Sequence, residues 1–174
     1  MSGTRFNLLH PRPEDVKAAD LAHHLARVAR FTGATYSSYS VAQHCCLVAD
    51  KLEEKYDARL GLIGLLHDGA EAYIGDVNSP LKSMLPKYKE IENAVQGAVW
   101  QSFDVRVFPK EHEFVKEVDI RMCQTEYEQL MPNRHPDWTL GVEPYDDLKI
   151  VPWSSERAEG EFLWRLNEFT TGRK

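Results

Sequence analysis

The most apolar stretch of the chain is Leu60-Gly-Leu-Ile-Gly-Leu-Leu66, and this stretch decides the fold. Together with its neighbours, over residues 58–72, it has the pattern of a helix that is apolar on nearly every side. Such a helix has to be surrounded by other helices, because none of its sides is suited to water. The stretch is also much shorter than the ~20 residues that cross a bilayer. It therefore predicts the centre of a helical bundle and no membrane span.

Apolar residues recur at helical spacing on both sides of this stretch. Ser40 and Gln43 have the spacing of a capping box, which predicts a helix start at Ser40. Ser79 followed by Pro80 predicts another start, at the end of a loop over residues 75–80. We find no run of alternating strand residues and predict an all-α, compact helical bundle with a surface loop over residues 132–152. The main predicted helices cover residues 13–31, 40–52, 58–72, 87–103, 110–131 and 154–169.

Length and charge limit the classes of function. The chain has 174 residues, of which 43% are hydrophobic, which suits a single domain over residues 1–174 with one core. Its net charge of -6 argues against a duplex nucleic acid partner, because such partners usually require a basic face. A small anionic substrate stays compatible with this charge, since a few local lysines or arginines can hold it.

The cellular location is predicted from the first residues and the cysteines. Residues 1–9 lack the basic start and apolar run of a secretory signal. The three cysteines cannot all pair, and the adjacent Cys45 and Cys46 are poor partners for each other. We therefore expect buried, reduced thiols in a cytoplasmic protein that has no membrane partner.

Several polar residues fall at positions that the helical pattern assigns to the core. His44 and Asp119 each lie on an apolar helix stripe, and His67 and Asp68 end the most apolar helix. Burying a carboxylate without a partner is costly, so these groups have to be paired, hydrogen-bonded or bound to a metal. Together they could surround one divalent cation, and their mixed imidazole and carboxylate donors suit Mn, Fe, Co, Ni or Zn.

Each of these residues also has a simpler interpretation when it is taken alone. A single buried histidine such as His44 is more often a satisfied core residue than a ligand. A His-Asp pair can arise by chance, as the pair His112-Glu113 illustrates, and we predict a solvated position for that pair. Asp119 could pair with Arg121. Only the joint pattern favours a metal site, beside which Glu71 and Asp76 could orient or deprotonate a water molecule.

The order His44, His67-Asp68, Asp119 resembles the ligand signature of the HD-domain superfamily. Further stretches narrow the resemblance to small nucleotide phosphohydrolases, which include bacterial 5'-deoxynucleotidases and phage dATP triphosphohydrolases. Residues 6–16 and 152–158 also resemble this group, so the similarity covers most of the chain. The two most specific stretches are Tyr39-Ser-Val-Ala-Gln-His44 and His67-Asp-Gly-Ala-Glu-Ala-Tyr-Ile-Gly-Asp-Val-Asn-Ser-Pro-Leu-Lys82.

The resemblance implies a role for each matching residue. It implies a helical bundle in which His44, His67, Asp68 and Asp119 bind the catalytic metal. Glu71 matches the catalytic carboxylate of the family, and Asp76 matches the aspartate of its Gly-Asp loop. Lys82 matches a lysine that contacts phosphate. An ordinary exposed lysine is the alternative at that position.

Substrate recognition is where the sequence departs from the family. Arg30-Phe31 falls where relatives carry an arginine and an aromatic residue at the substrate pocket. The 5'-deoxynucleotidases have Trp where this chain has Phe31, which puts direct transfer of their substrate preference in doubt. Phe31 could equally be a core residue. Pro80 could pack on a nucleobase, although its place at a helix start already explains it.

These observations lead to a specific expectation. We expect hydrolysis of a 2'-deoxynucleoside triphosphate, with dATP preferred, to a deoxynucleoside and triphosphate. A divalent transition metal would be the cofactor, and a second ion such as Mg²⁺ is left open. The alternatives are a 5'-deoxynucleotidase, a non-catalytic nucleotide-binding module, and a structural protein with a fortuitous cluster. The resemblance also implies a homo-oligomer, in which Trp100, Phe103 and Phe108 would supply an interface unless they belong to the core.

Overall fold

The computed structural model describes residues 1–172, and its architecture is all-α, as predicted. Within these residues the β-type pairing is limited to one isolated antiparallel bridge between Ala29 and Ser40. Short 3₁₀ turns lie at Pro13–Asp15 and Arg30–Gly33. The α-helices are α1 (Ala18–Leu25), α2 (Val41–Lys55), α3 (Ala58–Leu66), α4 (Glu71–Ile74), α5 (Ser79–Ser83), α6 (Pro86–Ser102), α7 (Pro109–Leu130) and α8 (Ser155–Thr171).

The apolar helix α3 lies at the centre of the bundle, as its sequence predicts. It packs along α2 and also contacts α7 and α8. Its residues from Leu60 to Leu66 are buried except Leu62, which is partly buried. Gly64 allows the closest approach to α2, because a Cβ atom at this position would lie 2.5 Å from Leu52 Cδ1 and 3.2 Å from Ala49 Cα.

The predicted start of α2 is correct, but only half of the capping box forms. The Ser40 hydroxyl accepts a hydrogen bond from the backbone N–H of Gln43 at 3.3 Å. The Gln43 side chain does not return this bond. It donates to the carbonyl of Val151 at 2.9 Å and accepts from the N–H of Trp153 at 2.8 Å. Gln43 therefore fastens the loop before α8 to the start of α2.

The predicted helix over residues 13–31 is too long. The chain is extended at Val16 and Lys17, and α1 ends at Leu25. After α1 the backbone turns back on the segment that precedes α2, where the N–H of Arg30 bonds to the carbonyl of Tyr39. These backbone bonds replace the ones that a continued helix would have made, so the helix stops.

The predicted helix over residues 58–72 is also interrupted. It ends at Leu66, and a turn over residues 67–70 separates it from α4. Glu71 therefore does not continue the helix that His67 and Asp68 terminate. The loop that follows is shorter than predicted. Asn78, and not Ser79, caps α5, because its side-chain oxygen accepts from the N–H of Leu81 at 3.1 Å.

Helix α2 ends at Lys55, three residues beyond its predicted end, and α6, α7 and α8 begin and end within about two residues of their predicted bounds. Both α6 and α7 start one residue earlier than predicted, at a proline, which is favoured at the first helical position. Ser154 caps α8. The predicted loop over residues 132–152 is irregular and is tied to α7 by the Gln129 side chain. Every helix within residues 1–172 is too short or too polar to cross a bilayer.

The aromatic residues considered for an interface divide between two environments. Trp100 and Phe103 are partly buried and pack against the hydrophobic core. Phe108 is 48% exposed, at the start of α7. The core alternative therefore applies to Trp100 and Phe103 and not to Phe108.

We expect Gly64→Ala to destabilise the fold by about 1–3 kcal/mol, because the added methyl group would overlap Leu52 in a packed helix contact. Gly160→Ala in α8 is the matched control, since a Cβ there meets no atom of residues 1–172 within 4 Å. The control should stabilise the protein by about 0.5–1 kcal/mol through helix propensity. Urea unfolding measures both free energies. Equal effects of the two substitutions would contradict the close contact of α3 with α2.

Candidate metal centre

Four side chains from three parts of the fold meet beside the end of α3. His44 comes from α2, His67 and Asp68 from the turn after α3, and Asp119 from α7. The Nε2 atom of His44 lies 3.4 Å from Nε2 of His67 and 3.1 Å from Oδ1 of Asp119. One ligand atom from each of these three residues lies within 4.8 Å of the other two. Asp68 Oδ2 lies 3.3 Å from His67 Nε2. The structure therefore brings all four predicted ligands together.

Hydrogen bonds on the far side of each ring fix which nitrogen faces the centre. His67 Nδ1 lies 2.7 Å from the carbonyl oxygen of Gly64, which can only accept, so Nδ1 carries the proton. His44 Nδ1 lies 2.6 Å from a carboxylate oxygen of Glu126 and donates in the same way. Both Nε2 atoms then direct lone pairs toward the same point. A cation or an additional proton has to lie between them, and this is the arrangement that metal-binding histidines require.

The pKa shifts describe the same centre without an ion. Burial lowers the pKa of the His44 and His67 imidazoles, but the neighbouring carboxylates outweigh burial and raise both values. For His44 the main carboxylate is Glu126, and for His67 it is Asp68. Burial raises the pKa of Asp119, yet its hydrogen bonds to the two imidazoles hold the pKa well below the ordinary range. A bound cation would therefore replace protons.

Glu126 is the most enclosed acidic residue at the site and was missed by the sequence analysis. Its side chain is 0% exposed. Besides the His44 ring, the Tyr39 hydroxyl donates to it at 2.7 Å and the Arg30 guanidinium at 3.0 Å. Burial raises the pKa of Glu126, but the charges of Arg30 and His44 lower it by more. The net pKa is therefore below the ordinary value, and the carboxylate stays ionised. The sequence contained an indication of this role, because Glu126 lies two helical turns after Asp119 on the same face of α7.

Arg30 and Phe31 lie next to this buried carboxylate. The Arg30 guanidinium binds Glu126 and lies 3.5 Å from Asp68 Oδ2. Phe31 is partly buried and does not belong to the hydrophobic core, so the core alternative is wrong. Phe31 and Thr32 both have a left-handed backbone, with φ of 53° and 52°. This conformation is costly for such side chains, and it marks the segment that presents Arg30 to the centre.

Glu71 lies beside the ligands with one oxygen unsatisfied. Its side chain is 4% exposed, and among residues 1–172 its Oε2 has no hydrogen-bond partner. Burial, followed by the charges of Asp68 and Asp76, raises the pKa of Glu71 to about 9. Burial also raises the pKa of the partly buried Asp76. This carboxyl cluster is short of positive charge, which is a second reason to expect a cation.

Lys82 faces Glu71 but is already paired. Its Nζ atom lies 2.6 Å from Oε1 of Glu92 and 3.4 Å from Oε1 of Glu71. Its side chain is 25% exposed, so the alternative of an ordinary exposed lysine is wrong. Pro80, in the same short helix α5, is exposed. The ion pair with Glu92 leaves Lys82 little free charge for a phosphate.

A cavity of about 430 Å³ opens beside the centre. It extends from His67, Asp68 and Asp119 past Glu71 and Lys82 to the facing sides of α6 and α7. The predicted residues Arg30, Phe31, Asp76 and Pro80 do not belong to its lining. His112 and Glu113 are exposed, as predicted, and His112 is one of the residues that line the cavity.

Arg121 and Cys45 also lie near the centre, and their partners or protonation state can be assigned. Arg121 donates to the backbone carbonyls of Glu143 and Pro144, so its suggested pairing with Asp119 is wrong. Cys45 also lies close enough to group with His67 and Asp68. Burial raises the pKa of the Cys45 thiol to about 11, so it is protonated at neutral pH. All three cysteines are free, as predicted, although Cys123 is only partly buried.

Comparison with known proteins gives relatives but no activity. No family model matches the chain. The uncharacterized protein YfdR of Escherichia coli K12 is 29% identical over 175 aligned residues, which cover 99% of this chain and 95% of YfdR. An uncharacterized protein of Rhodobacter capsulatus is 38% identical over 109 residues, covering 59% of this chain and 56% of that protein.

The raised pKa values predict that the metal-free protein loses stability as the pH rises. A histidine with a raised pKa stabilises the fold below its ordinary value of 6.5 and loses this contribution as the pH passes its folded value. Glu71 acts in the same direction, because its pKa is 4.5 when unfolded and about 9 when folded. We expect the melting temperature of chelator-treated protein to fall from about pH 6 to 9, and saturating Mn²⁺ to reverse the fall. A flat profile in chelator would contradict this interpretation.

Glu126→Gln should weaken metal binding about 10- to 100-fold, because it removes the carboxylate that orients and polarises His44. Tyr39→Phe is the matched control. It removes one hydrogen bond to Glu126 and leaves the imidazole contact in place, so its effect on affinity should be smaller. Competition against a chelating dye measures both affinities, and circular dichroism checks the helical content. Unchanged affinity in Glu126→Gln would exclude this role.

Proposed function

We propose that the chain is a metal-dependent phosphohydrolase of the HD type that acts on 2'-deoxynucleotides. The preferred substrate is a deoxynucleoside triphosphate, with dATP first, and the products are a deoxynucleoside and triphosphate. The observation that carries the proposal is the pair of imidazole Nε2 atoms that face each other at 3.4 Å beside two carboxylates. This arrangement lies at a cavity large enough for a small ligand.

The donor set suits the proposed cofactor. His44, His67, Asp68 and Asp119 would hold a divalent Mn, Fe, Co, Ni or Zn ion, because these ions accept mixed nitrogen and oxygen donors. Such an ion, when bound, polarises a phosphoryl oxygen and lowers the pKa of water to about 7. The carboxyl groups of Glu71 and Asp76 offer further oxygen donors on the same side, which would suit a second ion such as Mg²⁺.

The side chains around the ligands would divide the remaining work. Glu71 would take the proton of the attacking water, because its oxygen Oε2 has no hydrogen-bond partner among residues 1–172 and a bound cation would lower its pKa from the metal-free value of about 9. The water oxygen would bond to the α-phosphorus, the bond from phosphorus to O5' would break, and the proton taken by Glu71 would pass to O5'. Arg30 would offset phosphate charge from the Glu126 side. Asp76 would assist Glu71 from the neighbouring loop.

Two rival activities differ from this proposal in what they require. A 5'-deoxynucleotidase would use the same ligands on a monophosphate, so only the products separate the two reactions. A non-catalytic nucleotide-binding module would not need Glu71, yet this carboxyl is buried beside the ligands with an oxygen unsatisfied. The proposal also includes a homo-oligomer, on the ground of the resemblance to HD-type phosphohydrolases, and a cytoplasmic location, on the ground of the free cysteines.

The decisive experiment is hydrolysis of all deoxynucleoside mono-, di- and triphosphates with added Mn²⁺, Co²⁺ or Zn²⁺ and with products separated. Triphosphate released from dATP is the expected result. Asp68→Ala should abolish it through loss of the metal, whereas Glu71→Gln should lower kcat about 10²- to 10⁴-fold with the metal retained. Glu113→Gln, on the exposed side of α7, is the control and should be unchanged.

Other outcomes select the rivals. Orthophosphate from monophosphates alone would establish a 5'-deoxynucleotidase. Nucleotide binding without turnover, with every metal, would establish the binding module and end the enzymatic proposal.

A further inference from the structure

The cavity beside the metal centre continues along α7, away from the ligands. Asp119, Lys116 and His112 follow one another on α7 at spacings of three and four residues, so they share one helix face. All three line the cavity. At the rise of an α-helix, His112 lies about 10 Å along the axis from Asp119. A ligand that starts at the metal centre can therefore extend along this face for two helical turns.

Some cationic side chains of the site are already paired with a carboxylate, and others are not. Arg30 is bound to Glu126, and Lys82 is paired with Glu92 at 2.6 Å. Lys116 and His112 have no ion pair or hydrogen bond with another side chain within residues 1–172. Their charge and N–H groups are available to a ligand, and both side chains stay accessible from solvent.

We propose that Lys116 and His112 form a subsite for the distal phosphates of a polyphosphate substrate. This inference deepens the proposed function and rests on it for the position of the first phosphate. A single phosphate at the metal centre would leave the far part of the cavity without an anion. A chain of linked phosphates would reach Lys116 one turn from Asp119 and His112 one turn beyond. The subsite therefore favours a triphosphate over a monophosphate as the substrate.

Charge balance along the cavity agrees with this assignment. Near the centre, Asp68, Glu71 and Asp119 would lie beside the ion, and Glu92 is paired with Lys82 at 2.6 Å. Lys116 is the charged lysine of the lining that lies farther along α7, away from the ion. A nucleobase would not use this charge, whereas the distal phosphates of a triphosphate require it. His112 adds an imidazole N–H donor beside it, in either protonation state.

The test uses inorganic tripolyphosphate, which requires no turnover. We would measure its binding, and that of orthophosphate, to the Mn²⁺-loaded protein by calorimetry, with Mn²⁺ in fixed excess. Lys116→Met should weaken tripolyphosphate binding about tenfold or more, because one charge-assisted contact is lost. It should change orthophosphate binding less than about twofold. His112→Gln should have a smaller effect in the same direction. Lys110→Met, on the same helix but outside the cavity, is the matched control.

The outcomes separate this inference from the proposed function. Selective loss of tripolyphosphate affinity in Lys116→Met supports the subsite even if no nucleotide is hydrolysed. Equal affinity of Lys116→Met and the unaltered protein overturns the subsite, even if dATP is hydrolysed normally. Equal weakening of orthophosphate and tripolyphosphate also overturns it, since the lysine would then act at the first phosphate. A raised KM for dATP in Lys116→Met, with little change in kcat, is the corresponding kinetic result.

Discussion

The close approach of two imidazole Nε2 atoms is the constraint on which the site depends. His44 and His67 face each other through Nε2 because each has its Nδ1 proton committed elsewhere, one to Glu126 and the other to the Gly64 carbonyl. Protons or a cation have to occupy the space between these two atoms. Gly64 contributes twice, since its missing side chain lets α3 approach α2 and its carbonyl orients His67. The close helix contact and the polarity of the centre therefore have one origin. A more bulky residue at this position would separate the two histidines that the site needs together.

A buried network of charged and polar groups around Glu126 holds His44 in place. Glu126 has no exposed surface, and three donors from three segments converge on it. An ionised carboxylate is tolerated in such a place only when its hydrogen bonds are satisfied. The same network fixes Arg30 against Asp68, so the arginine belongs to the support of the centre as well as to its charge. The backbone strain at Phe31 and Thr32 lies immediately after this residue, where the packing of Arg30 can hold it.

The sequence predicts the features of the helices that are determined by residues within the helix itself. It does not predict the features that depend on contacts with distant segments. Apolar spacing identifies α2, α3, α6, α7 and α8, and the four candidate ligands follow from polar residues on apolar stripes or at the end of the most apolar helix. The end of α1 could not be predicted, because it depends on backbone bonds between residues 28–30 and 39–41. Glu126 has the spacing of a site residue, but its partners come from other segments. The pairing of Lys82 with Glu92 and the cavity along α7 arise from packing between helices, which no single segment encodes.

The contact of Gln43 with residues 151 and 153 has a consequence for the order in which the protein is made. All four candidate ligands precede residue 120, so they are synthesised well before the loop that satisfies the buried amide of Gln43. Until that loop arrives, the first turn of α2 carries an unpaired polar group one residue from His44, which disfavours burial of that turn. If the centre binds a metal as proposed, capture of the ion during translation would therefore be inefficient. The arrangement of the four side chains is completed only when residues 151–153 pack against the start of α2.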